Sequence, residues 1–342
     1  MLLLTQSDVP LLLPMHECMD VMADALARLA RGDVILPLRT VLRLPDSADA
    51  FAVMPAYVRA AGAASEAAMG VKVITVFPGN EGTPYDSHQG AVLLFEARHG
   101  RLLAVMDASS ITAIRTAAVS GVATRLLARE DAGDLAILGS GVQAATHLEA
   151  MLLARRVRRV RAWSRTPERL RRFAERAARR HGVTVECCAT AREAVEGADL
   201  ICTVTASREP VLLGEWIAPG AHVNAVGASV PSARELDSAA VARSRLFVDR
   251  RESALAEAGD ILIPKREGAI GDGHIQAELG EVLVGERPGR RTPDEITLFK
   301  SLGLAVEDLA AARHIYANAV ARGAGTSVEL GGAREEGLGI RD

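Results

Sequence analysis

Apolar positions recur at helical spacing over residues 15–31, where Met19, Met22, Leu26 and Leu29 share one face and Gly32-Asp33 ends the run. Apolar runs of strand length follow at 34–44, 51–57, 70–77 and 90–96, separated by Gly, Pro, Asn and Asp clusters such as Pro78 to Pro84. This first third predicts a mostly antiparallel sheet with a flanking helix. Helical spacing returns from Ile111 to Leu127. Beyond it the pattern changes. Strand-like runs at 134–139, 159–163, 199–204, 222–227 and 246–249 alternate with helical stretches at 142–154, 167–181, 190–196 and 235–243. Such alternation predicts βαβ units and a parallel sheet. A last helix is expected near 304–321, and the Gly- and charge-rich end from Gly323 to Asp342 is expected to be loose.

Composition narrows the function classes. The 342 residues carry a formal net charge of −3, which argues against general electrostatic binding to nucleic acid. Twelve arginines between Arg155 and Arg180 read as a short strand and the solvated face of a helix. Four cysteines (Cys18, Cys187, Cys188 and Cys202) have no CxxC spacing, and a reduced, cytoplasmic setting is expected. No apolar run is long enough for a membrane span, and the N-terminus lacks the basic start of a signal peptide. Only three of the 40 basic residues are lysine: Lys72, Lys265 and Lys300.

The strongest motif follows the strand-like run at 134. Gly139-Ser140-Gly141-Val142-Gln143-Ala144 has the GxGxxA form, preceded by a strand and followed by a helix. Gly139 permits the tight turn, Gly141 lets the backbone approach a pyrophosphate, and Ala144 allows close helix–strand packing. The second strand ends in Ser164-Arg165-Thr166, with no carboxylate to accept from a ribose 2′-OH. Arg165 suits a 2′-phosphate instead, so NADP(H) is preferred and NAD(H) is the alternative. On the substrate side, Lys72 interrupts the strand pattern Gly70 to Phe77, and Arg39 and Arg115 interrupt other apolar or small-residue runs. Three such cations suit a carboxylate, and Lys72 can also donate a proton. There is no GxSxG elbow, and the eight histidines show no metal-ligand spacing, so no metal is expected.

Several longer strings are similar to the ornithine cyclodeaminase/mu-crystallin family over about Pro37 to Tyr316: Met54 to Tyr57, Ser87 to Glu96, Leu102 to Asp107, the GSGVQA turn, Gly214 to Asp237, and Thr297 to Asp308. The resemblance implies an α/β fold in which a Rossmann-type doubly wound NAD(P) domain is inserted in an α+β substrate and dimerisation domain. The expected boundaries are 1–117 plus 310–330 for the discontinuous domain, 118–309 for the dinucleotide domain, and 331–342 for a flexible tail. It further implies a homodimer and a small imino- or amino-acid substrate; from charge and the lack of a long apolar run, neither nucleic acid nor a membrane is expected as a partner. By the same resemblance, Arg39, Lys72 and Arg115 bind the substrate carboxylate, with Lys72 the proton donor. Ser87, His88, Gln89 and Arg115 face the cofactor. Gly139, Gly141, Val142 and Gln143 form the pyrophosphate turn, and Ser164, Arg165 and Thr166 the 2′-phosphate pocket. Thr203, Val204, Thr205, Val226 and Ser301 line the way to the nicotinamide.

Two departures matter. Cyclodeaminases of the family carry an aspartate where this chain has Ser229, in Gly227-Ala228-Ser229, and serine cannot act as a carboxylate base. The mu-crystallin-like, ketimine-reducing branch resembles the chain better, although an arginine of that branch is replaced by Val230. The expected activity is NADPH-dependent reduction of imino acids such as pyrroline- or piperideine-2-carboxylate. The rival readings are an ornithine-type cyclodeaminase or alanine-type dehydrogenase, and a protein that binds NADPH and a small ligand without turnover.

Overall fold

The structure, a computed structural model, describes residues 1–60, 67–80 and 83–330. Glu81-Gly82 of the expected loop and the expected flexible tail at 331–342 lie outside the described residues. The chain forms two compact units. The first comprises Met1–Leu13, Asp33–Ile111 and the chain from Asp308 on; the second comprises Pro14–Gly32 and Thr112–Glu307.

The first unit is built on one sheet. Its strands are β1 (Leu2–Leu4), β2 (Val34–Ile35), β3 (Thr40–Arg43), β4 (Ala50–Val58), β5 (Ala68–Val76), β6 (His88–Glu96) and β7 (Leu102–Asp107). A short strand at Thr326–Ser327 joins the edge beside β1, followed by β7, β6, β5, β4 and β2, with β3 also on β4. All pairs are antiparallel except β1 with β7. Pro55 has no N–H to give, and it falls between the stretches of β4 paired with β3 and with β2. The pleat separates two faces. Ala50, Ala52, Met54, Ala56 and Val58 of β4 are buried on one, where the helix Ala305–Arg322 packs so closely that a Cβ at Gly70 would lie 2.9 Å from Leu309 Cδ1. The other carries Phe51, Val53, Tyr57, Met69, Val73, Leu93 and Phe95, all half-buried or exposed.

The second unit is a parallel sheet flanked by helices. Its strands are β8 (Asp134–Leu138), β9 (Arg159–Trp163), β10 (Val185–Cys187), β11 (Leu200–Thr203), β12 (His222–Ala225), β13 (Ser244–Val248), β14 (Ile275–Glu278) and β15 (Ile296–Lys300). They lie in the order β10-β9-β8-β11-β12-β15-β13-β14. Succession runs outward to one side from β8 and restarts on its other side at β11, which is the Rossmann-type switch point. One core cluster is Ala, Val, Leu and Ile, and Phe173, Phe247 and Phe299 are the unit's fully buried aromatics. The helix Pro167–His181 buries Leu170, Phe173 and Ala177 and leaves most of its arginines in solvent. The helix Met15–Ala30 also belongs here, and a Cβ at Gly121 would touch its Met19 Cε at 2.6 Å. The periodicity assigns little within residues 251–300; they form three helices, Arg251–Glu257, Gly259–Arg266 and Leu279–Leu283, and the strands β14 and β15.

Candidate active site

In the first unit, Lys72 sits in the middle of β5, between β4 and β6, opposite Met54 and Val92. It points to the buried face and is only 3% exposed. An ammonium so placed needs an anion, and Asp308 of the helix Ala305–Arg322 supplies it, with Nζ to Oδ2 at 2.7 Å. β5 is thus an inner strand, and Lys72 stands on its buried side. Arg39, half-buried, immediately precedes Thr40, whose partner Val53 neighbours the partner of Lys72. The two cations thus stand two strands apart, about 10 Å between backbones, in one stretch of sheet. His88 pairs with Val76 and so faces the same side as Lys72, about 14 Å further along β5. Its Nδ1 lies 3.0 Å from Ser87 Oγ, its carbonyl accepts from Ser109 Oγ, and Gln89 donates to the Asp86 carbonyl at 3.1 Å.

Arg115 belongs to the second unit, on the helix Ala108–Leu127. It is 4% exposed, and its Nη1 donates to Glu307 Oε2 at 3.0 Å. Gly303 makes the room: its φ of +77° is one that residues with a side chain rarely adopt, and a Cβ there would lie 2.2 Å from the guanidinium. Of the three expected cations, then, Arg39 and Lys72 share a unit, and Lys72 and Arg115 are held by consecutive carboxylates, Asp308 and Glu307.

The dinucleotide motif stands at the C-terminal edge of the parallel sheet. Gly139 has φ +128°, and a Cβ there would lie 2.7 Å from the Val204 carbonyl oxygen, so the turn after β8 requires glycine. Gly141 is the N-cap of the helix Val142–Ala154; among the described residues no side chain caps that end, and its missing Cβ would meet nothing within 4 Å. Open backbone and unsatisfied N–H groups at a helix start fit a pyrophosphate. Two buried atoms also lack hydrogen-bond partners among the described residues: Gln143 Oε1 in that first turn, and Ser301 Oγ just past β15. The residues present fit a dinucleotide.

Past the end of β9, Ser164 Oγ accepts from Ser140 Oγ at 2.9 Å, joining this segment to the glycine turn. Thr166 is the N-cap of the helix Pro167–His181, and Arg165 between them is exposed. On the other side of β8, Thr203, Val226 and Ser301 stand at or just past the ends of β11, β12 and β15, which are adjacent. Their backbones are linked: Val226 N–H donates to Thr203 and Ser301 N–H to Ala225, both at 3.0 Å. Ser229 is exposed and Val230 half-buried in the segment after β12.

The motif reading missed the carboxylates. Asp308 and Glu307 look like ordinary acidic residues at a helix start, yet both are buried; the usable signal was two adjacent acids inside the apolar run Leu302 to Ala312. Lys300 received no role, and it is 1% exposed and bonded to Asp260 at 2.9 Å.

The family model for the ornithine cyclodeaminase/mu-crystallin family matches residues 1–323. Ketimine reductase mu-crystallin of Mus musculus is 46% identical over 285 residues, covering 83% of this chain and 85% of the relative. The solved structure of Thermococcus litoralis Delta(1)-pyrroline-2-carboxylate reductase, in complex with NADH and L-proline, is 40% identical with a TM-score of 0.92, covering 96% of this chain and 100% of that one. An archaeal alanine dehydrogenase dimer with bound NAD is 32% identical with a TM-score of 0.89, covering 96% and 99%.

Proposed function

Because the chain belongs to the ornithine cyclodeaminase/mu-crystallin family, we propose that it reduces cyclic ketimine carboxylates of the pyrroline- and piperideine-2-carboxylate type. It is an oxidoreductase that uses a nicotinamide cofactor and acts on C=N bonds. The observation that carries the substrate reading is the buried Lys72–Asp308 pair. Here a removable proton is held on a fixed nitrogen, away from bulk water.

When bound, the reduced nicotinamide supplies hydride to the C=N carbon. Lys72 delivers the proton to the ring nitrogen, or holds it there, as C=N becomes CH–NH, and Asp308 keeps the lysine charged until then. Arg39 is assigned to the substrate carboxylate together with Lys72, and Arg115 keeps the same role by family resemblance. Ser87, His88 and Gln89 are assigned to the cofactor on the same ground. Exposed Ser229 offers no carboxylate base, which disfavours cyclodeamination. NADP(H) is the preferred cofactor, supported by Arg165 between Ser164 and Thr166 with no acid beside them. The apolar outer face of the first unit's sheet, with the alanine dehydrogenase dimer as a relative, supports a homodimer. Four free thiols support a cytoplasmic setting.

The experiment is a panel of cyclic imines incubated with NADPH and with NADH, following the loss of reduced-nicotinamide absorbance. Oxidation with a five- or six-membered ketimine carboxylate is expected. No oxidation with any of them, beside ammonia release from ornithine with NAD, overturns the proposal.

A further inference from the structure

Glu235 has no assigned role, and its surroundings are unusual. It is fully buried in the segment between β12 and the helix Ser238–Ala242. Its oxygens take four hydrogen bonds: Oε1 from the Thr205 N–H at 2.6 Å and Thr205 Oγ1 at 2.7 Å, and Oε2 from Thr203 Oγ1 at 2.8 Å and the Gly227 N–H at 2.6 Å. Two backbone donors and two hydroxyls fill the acceptor capacity of an ionised carboxylate. Its own N–H donates to Asp260 Oδ1 at 2.8 Å, and Asp260 Oδ2 takes Lys300 Nζ at 2.9 Å. The ends of β11, β12 and β15 are thereby bound to one buried network of two acids and one lysine.

Such a network is costly for stability alone, since well-packed apolar side chains commonly do as well. Burial and the neighbouring Asp260 push the Glu235 carboxyl upward, against Lys300 and the Thr205 bonds. The segment lies close against it: a Cβ on Gly227 would lie 2.0 Å from the Thr205 carbonyl oxygen and 2.7 Å from the Glu235 carboxylate, so this approach requires glycine.

The peptide plane gives the consequence. In a trans peptide the N–H of one residue and the C=O of the residue before it point in opposite directions. With the Gly227 N–H fixed on Glu235, the Val226 carbonyl is turned away from it, and that carbonyl accepts no hydrogen bond among the described residues. It stands beside Ser301, whose Oγ is also without a partner, at the edge of the sheet beyond the switch point. The geometry points to Glu235 as a positioning residue for the nicotinamide end of the cofactor: it fixes the Val226 carbonyl as an acceptor for the carboxamide N–H₂. This role rests on the dinucleotide reading above.

The test separates the two ends of the cofactor. Glu235→Gln replaces one acceptor by a donor facing donors. Binding of NADPH is measured by fluorescence, alongside 2′-phospho-ADP-ribose, which lacks the nicotinamide, and the 3-acetylpyridine analogue, which lacks the carboxamide N–H₂. The variant is expected to weaken NADPH about tenfold, to leave the fragment within about twofold, and to abolish the wild-type preference for NADPH over the acetylpyridine analogue. Equal weakening of NADPH and the fragment, or no change in either, overturns the role. If Glu235→Gln fails to fold, Thr203→Val removes one donor at constant shape, and the same pattern is expected at about two- to threefold. An unchanged NADPH affinity in Thr203→Val, or an equal loss for the fragment, is then the refuting result. Wild-type protein that binds neither NADPH nor NADH would sink the dinucleotide reading itself, a different outcome from wild-type binding that Glu235→Gln leaves untouched.

Discussion

Lys72 and Asp308 must be altered together for their roles to be separated. Lys72→Met alone takes the lysine of a 2.7 Å ion pair from a buried carboxylate, a loss of about 3–5 kcal/mol. Adding Asp308→Asn is expected to restore most of that stability in denaturant titrations. The turnover lost with the lysine, about 10²–10⁴-fold for a proton donor, is not expected to return. Recovery of turnover in the double variant would remove Lys72 from the chemistry. Arg165 is tested by choice of cofactor: Arg165→Ser should raise the KM for NADPH about tenfold or more and leave that for NADH nearly unchanged. An equal effect on both would make it one more arginine of a solvated helix.

The turn after β8 contains two glycines with different duties. Gly139→Ala puts a Cβ at positive φ, 2.7 Å from the Val204 carbonyl oxygen, and should lower the Tm with or without cofactor. Gly141→Ala meets only open space in the protein. On the proposed pyrophosphate role, it should leave the Tm unchanged and weaken dinucleotide binding in a fluorescence titration. This element was legible in advance because a buried strand, a glycine turn and a helix each leave their own period in the sequence. The segment 251–300 was not, for physical reasons. Pro264 stands within the helix Gly259–Arg266 and reads as a breaker. β15, Ile-Thr-Leu-Phe-Lys, is buried on both faces and so shows no alternation. The site was legible only in part. Cations and glycines stand out against an apolar pattern, whereas Asp308, Glu307 and Glu235 are identified by burial, which no local pattern records.

Beneath the second unit's sheet lies a chain of buried polar groups that couples the fold to pH. His222 Nδ1 lies 3.0 Å from Thr297 Oγ1, and its Nε2 lies 3.3 Å from Asn224 Oδ1. Asn224 donates to Thr124 Oγ1 at 3.0 Å, and His147 Nδ1 meets the Gln143 carbonyl at 2.8 Å. Burial pushes His147 down from 6.5 to about 4. Burial, with Arg290 nearby, pushes His222 down to about 3. Both are neutral in the folded protein, whereas the unfolded chain takes up protons below its ordinary value. Stability is therefore complete above that value and falls as pH drops toward the folded values, by about 1.4 kcal/mol per pH unit for each histidine. Denaturant midpoints should decline between about pH 7 and about pH 5, and His147→Gln should remove about half of the decline. A flat profile would mean that protons reach both rings in the native state. Assembly is tested separately: Leu93→Glu on the outer face of the first sheet should convert a dimer to monomers in light scattering, with the fold retained.

Asp308, paired with Lys72, and Leu309, packed against Gly70, make one helical turn intolerant of a change in length. Each added or deleted residue rotates everything beyond it by about 100°. One residue more between Asp308 and Leu309 would swing Asp308 off Lys72 or Leu309 off Gly70, and no single substitution could correct both. In a library of insertions and deletions, this turn should therefore behave as a fixed spacer, tolerant of exchange at its apolar positions and closed to any shift in frame along the helix.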